Sequence, residues 1–118
     1  MRKPKLGAGD VPIILDGEKF VMRPTLAAAQ KISRQSGGIL EAVRKVGAFD
    51  MDMIVSVIGA GLGTLPREYD ELGEKVFNTG LANVVTPVIE FLGVISGGGR
   101  PPPEEGDEEE QDPPKASA

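Results

Sequence analysis

The chain contains neither cysteine nor histidine. Without cysteine it can form no disulfide and do no thiolate chemistry. Without histidine it lacks the commonest general base near neutral pH and the commonest metal ligand. Tryptophan is absent too, and only one tyrosine and four phenylalanines occur in 118 residues, so a core must come mainly from Val, Ile, Leu and Ala. There is no run of 18 apolar residues and no signal-peptide pattern, which leads us to expect a soluble, cytoplasmic protein that takes no part in a membrane. A basic surplus is also missing. The net charge is −5, and residues 97–118 account for all of it, with seven acids against Arg100 and Lys115. Residues 1–96 balance to zero, which is poor footing for a nucleic-acid binder.

What is present begins with a hairpin signal. Val11-Pro12-Ile13-Ile14-Leu15 and Glu18-Lys19-Phe20-Val21-Met22 flank Asp16-Gly17, the dipeptide that favours a type I′ turn. A two-residue loop there sets Leu15 opposite Glu18, Ile13 opposite Phe20 and Val11 opposite Met22. These six side chains share one face, five of them apolar. Pro12 falls on the other face and suits a two-stranded edge. Such a hairpin is marginal alone and must pack on something.

Five helices are expected to follow. Arg23-Pro24-Thr25 stops the strand and caps a first helix with Leu26, Ala29, Ile32 and Ser33 in line, ended by Gly37-Gly38. A short second helix, Ile39 to Val46, sets Ile39, Val43 and Val46 on one face with Leu40 beside them. Asp50 caps a third, Met51 to about Leu62. Acids Glu68, Asp70 and Glu71 open a fourth, whose buried face is read as Tyr69, Leu72, Val76 and Phe77. The last, Leu81 to Ile95, repeats Val84, Val85, Val88, Leu92 and Ile95, with Pro87 either kinking it or starting its longer half. The expected organisation is a flexible arm over residues 1–9, one α+β, mostly α domain over 10–96, and a disordered Gly/Pro/acidic tail over 97–118.

Catalytic equipment is hard to find. Met53 to Gly63 imitates a dinucleotide-binding turn, but Thr64 stands at the third glycine position, acids follow where phosphate would sit, and no βαβ unit comes after. Asp50 and Asp52, two apart, point to different helix faces. Asp70, Glu71 and Glu74 read as a solvated face. Ser33 and Ser36 have no histidine to activate them. We expect no enzyme activity, no cofactor and no metal. The dinucleotide-binding fragment is kept as the weakest alternative.

The pattern Val11-x-Ile13-x-Leu15-Asp16-Gly17-x-x-Phe20-x-Met22-Arg23-Pro24-Thr25-x-x-Ala28 resembles the opening of the small tail proteins of gene transfer agents and related siphophages, the tail assembly chaperones. Ile54–Gly61 is similar to their middle helix, and Gly80-Leu81-Ala82-Asn83 with the helix through Phe91-Leu92 to their closing segment. Pro12 and Pro87 depart from the family's pattern. The resemblance implies a cytoplasmic assembly factor in a bacterial host cell. It binds the tape-measure protein, helps recruit subunits of the major tail protein, and has no catalytic residues. A structural tail or head–tail joining component is the alternative. Adaptable Met51 and Met53, with Val84, Val88, Phe91, Leu92 and Ile95 on the last helix, are the expected partner-binding residues, for partner helices or a second copy of the chain. The competing reading is that these apolar side chains are simply core.

Overall fold

A computed structural model describes residues 7–101. Most of the expected arm and tail lie outside these residues. The order of elements is β1 (Val11–Leu15), β2 (Glu18–Met22), α1 (Leu26–Ser36), α2 (Ile39–Gly47), α3 (Met51–Leu62), a 3₁₀ turn (Pro66–Glu68), α4 (Tyr69–Thr79) and α5 (Leu81–Ser96). The fold is therefore α+β and mostly α, with one antiparallel hairpin ahead of five helices.

The hairpin register is Val11 to Met22, Ile13 to Phe20 and Leu15 to Glu18. Asp16 and Gly17 both have positive φ, 53° and 82°, as a type I′ turn requires. Alternation then does the sorting. Val11, Ile13, Leu15 and Met22 are buried against α3, α4 and α5, whereas Pro12 and Ile14 face outward. Phe20 is only half-buried, because it lies at the edge of the packed face beside Leu62 and Leu72. Pro12 sits opposite Val21. With Leu15–Glu18 as the hydrogen-bonded pair next to the turn, the Pro12–Val21 pair exchanges no ladder bonds. The missing N–H therefore points away from β2 and costs the hairpin nothing.

The chain leaves β2 through two locks. Arg23 donates its backbone N–H to the Gly61 carbonyl at 2.9 Å, tying the hairpin to the end of α3. Its guanidinium pairs with Asp10 at 2.5 Å, and Asp10 also accepts the Gly7 N–H at 2.7 Å. Thr25 then caps α1 by accepting from the Ala28 N–H at 3.1 Å, and Asp50 caps α3 from the Met53 N–H at 3.1 Å.

α3 is the central helix. It packs on α1, α2, α4, α5 and β2. Small residues make that possible. A Cβ at Gly59 would run into the Tyr69 ring, and one at Gly61 would lie 2.8 Å from the Met22 Cβ and 3.0 Å from the tip of Phe91. The core joins Val11, Ile13, Leu15 and Met22 to Ile54, Val57, Ile58, Val76, Val84, Val88, Phe91 and Leu92. Each such side chain contributes about 1.5–3 kcal/mol through burial.

Several expected details differ. On α1 the buried line is Ala28, Ile32 and Ser36, and Leu26 is 73% exposed. On α2 it is Ala42 and Val46, with Leu40 82% exposed. On α4 Phe77 is 70% exposed while Val76 is fully buried. α5 continues through Pro87 as one helix. Gly97–Gly99 is not an open linker either. Gly97 donates to the Gly93 carbonyl at 3.2 Å and Gly99 to the Val94 carbonyl at 2.9 Å, folding the run back on the body. Among the described residues no single helix is long and apolar enough to cross a membrane, and α4 and α5 meet at a bend of 114°.

Candidate partner-binding surface

The residues expected to contact a partner are for the most part core. Val84, Val88, Phe91 and Leu92 are fully buried and Met53 is 7% exposed, so an incoming chain cannot reach them without opening the fold. Only Met51 and Ile95 are half-buried. The physical reason is that α5 lies between β1, α2, α3 and α4, which cover the stripe that made it a candidate.

The glycine segment is likewise structural. Met53–Gly61 lies wholly inside α3, so the strand and turn of a dinucleotide site are not formed there. Among the described residues no group of three acids is placed to hold a metal ion. Lys31 and Tyr69 form a polar contact between α1 and α4 beside this helix, with Lys31 Nζ donating to the Tyr69 hydroxyl at 3.2 Å and standing 5.2 Å from the ring centre.

The surface does present apolar features. One groove of about 650 Å³ runs between the outer face of the hairpin and the start of α5, lined by Pro12, Ile13, Ile14, Lys19, Thr79, Asn83 and Pro87. It brings together the two prolines that depart from the resemblance. Both lack an N–H, and Pro87 cannot donate to the Asn83 carbonyl four residues back. The polar groups around it are largely engaged. The Thr79 hydroxyl accepts the Asp16 N–H at 2.6 Å and donates to the Lys75 carbonyl at 2.7 Å, and the Asn83 amide donates to the Thr79 carbonyl at 2.8 Å. What remains open to a ligand is the Ile14 side chain, 59% exposed, two proline rings, the Lys19 ammonium and the Asn83 carbonyl that Pro87 leaves without its helical donor.

A second recess of about 640 Å³ lies where α1 meets α2, lined by Gly37, Gly38, Leu40, Glu41, Val43 and Arg44. Here charge is prominent. Arg44 Nε donates to both Glu41 carboxylate oxygens at 3.0 Å, and Arg44 Nη2 to one at 2.5 Å. The Arg44 guanidinium holds the Glu41 carboxyl below its ordinary value, and Glu41 raises Arg44 in return. α1 and α2 carry Lys31, Arg34, Arg44 and Lys45 against Glu41 alone. Residues 50–96 carry Asp50, Asp52, Glu68, Asp70, Glu71, Glu74 and Glu90 against Arg67 and Lys75. The neutral body is thus polarised, basic at the α1–α2 corner and acidic along α3–α5.

Sequence reasoning missed the hairpin–α5 groove, although Pro12 and Pro87 were visible as local misfits. Their meeting across more than seventy residues was not. Comparison with known proteins found no matching family model, no similar curated protein and no similar solved structure.

Proposed function

We propose that the chain is a non-enzymatic assembly chaperone for a tail of the phage or gene-transfer-agent type. In this reading it binds an apolar stretch of the tape-measure protein, keeps it soluble and helps recruit tail-tube subunits. The observation that carries the reading is the groove beside β1. On a body whose core is closed, Ile14 stays 59% exposed between two prolines, with few free donors around it. A recess of that kind suits an apolar segment of another protein better than a polar small molecule. The Val11–Ala28 signature supports tail assembly as the setting.

The test is co-expression with a tape-measure fragment. The fragment is expected to become soluble and to co-purify with the chain, and I14D is expected to lose the complex while staying folded. No complex and no gain in solubility would sink the proposal. Mass spectrometry of purified particles separates the runner-up, since a structural tail component would be found there in stoichiometric amount.

A further inference from the structure

Gly99 is seated against the body by backbone contacts at both of its neighbours in space. A Cβ on Gly9 would collide with the Gly99 carbonyl oxygen, and one on Gly99 would lie 2.9 Å from the Pro24 carbonyl oxygen. These backbone contacts seat Gly99 beside the start of α1, where Pro24, Leu26, Ala29, Ile95 and Gly98 line a cleft of about 200 Å³. From there α1 offers a track. Leu26, Gln30 and Arg34 follow one another on its exposed side, four residues apart. The track ends at Gly37–Gly38, in the recess of Leu40, Val43 and Arg44.

The sequence past this point matches the track in charge and in length. Pro101-Pro102-Pro103 is followed by seven acids between Glu104 and Asp112. We propose that Glu104–Asp112 docks on the α1–α2 face of its own chain, its carboxylates meeting Arg34, Lys45 and the side of the Arg44 guanidinium that Glu41 does not occupy, and its backbone covering the exposed Leu40. Leu26 to Arg34 is about 12 Å of helix. Three prolines in extended form span about 9 Å, and nine further residues reach up to about 30 Å. That reach is enough to bring the first acids to Arg34 and the last of them past Arg44. Other faces repel or ignore them. The 3₁₀ turn and α4 present Glu68, Asp70, Glu71 and Glu74 against Arg67 and Lys75, with Lys75 paired to Glu18, and the hairpin–α5 groove has Lys19 with Asp16 in the turn and Glu18 in β2 close by. Each exposed pair is weak, but tethering replaces a bimolecular encounter with a local concentration in the millimolar range. The docking is salt-sensitive for the same reason. It stands independently of the chaperone reading, since it needs no partner.

The absence of native cysteine makes the experiment clean. A nitroxide is attached to the full chain through Q111C, and backbone amide signals are recorded at low and high salt. At roughly 30 mM salt the amides of Gln30, Arg34, Leu40 and Arg44 are expected to lose at least about half their intensity, and to recover near 0.5 M, where the screening length is a few ångströms. R34E/K45E is expected to abolish the loss with the circular dichroism spectrum unchanged. If that pair unfolds, R34Q/K45Q serves the same comparison. Broadening confined to residues 97–101, centred on the hairpin–α5 groove, or indifferent to salt and to the charge substitutions overturns the proposal. So does broadening that passes between chains in a mixture of isotope-labelled and nitroxide-labelled protein.

Discussion

Ile13 and Ile14 are neighbours of one residue type in one strand, yet Ile13 is 3% exposed and Ile14 is 59% exposed. The inner face of the hairpin holds the core together, and the outer face lines a groove. Because strand side chains alternate, the two roles are separated by a single step along the chain. The difference teaches that the core and the surface of the groove can be perturbed independently here. On α5 the same division falls between Val84, Val88, Phe91 and Leu92, which serve the core, and Asn83 and Pro87, which line the groove.

The largest expected effect breaks the comparison at its centre. Ile13→Asp places an unpaired carboxylate among buried aliphatics and is expected to cost more than about 4 kcal/mol, enough to abolish cooperative unfolding at ambient temperature. Ile14→Asp is expected to change stability by no more than about 0.5 kcal/mol, as an exposed substitution does. Urea denaturation of the two variants checks this. Equal damage from both would mean that the outer face is also packed, and the groove would lose its standing as a free surface.

A smaller effect sharpens the comparison at α3, where two glycines allow close approach to different kinds of neighbour. Gly61→Ala must displace the Met22 Cβ and the tip of Phe91, both held in the core. The overpacking, about 1–3 kcal/mol, outweighs the roughly 1 kcal/mol that alanine gains over glycine in a helix. Gly59→Ala meets the Tyr69 ring instead, which is half-buried at the end of a side chain and can swing outward. The expected outcome is a clear drop in melting temperature for Gly61→Ala and a near-neutral result for Gly59→Ala. In the latter the Lys31–Tyr69 contact is lost, which tyrosine fluorescence reads. A stabilised Gly61→Ala would show that Met22 and Phe91 yield more readily than their burial implies.

The hairpin was legible from sequence because one short-range signal, Asp16-Gly17, sets its parity, and parity alone decides which strand residues go inward. The ends of the helices were legible for a similar reason. Thr25 and Asp50 are caps whose chemistry acts within three residues. The facing of the helices was harder. With a 3.6-residue period, Leu26 and Ala28, or Phe77 and Val76, are both admissible members of an apolar stripe, and the choice is made by neighbours distant in sequence. On α4 it is Leu72 and Val76 that meet the core, and Phe77 lies on the exposed side. The candidate site was illegible on the same ground. A groove between β1 and α5 is a product of packing, and an apolar stripe destined for the core looks the same in sequence as one destined for a partner.

The smallest effect concerns the α1–α2 corner, the helical counterpart of the hairpin's outer face. Arg44 holds the Glu41 carboxyl below its ordinary value, chiefly by hydrogen bonding. A group whose pKa is lowered on folding adds stability above its unfolded value and loses that contribution as pH falls through the folded one. Glu41→Gln is therefore expected to lower the melting temperature slightly at pH 7, with the gap to the unsubstituted protein closing below about pH 4, where the unfolded carboxyl protonates. The pair is solvent-exposed, so 0.5 M salt should shrink the gap as well. A gap that persists at low pH would show that Glu41 acts through packing at the Leu40 recess, not through charge. The corner would then resemble the hairpin's inner face more than its outer one.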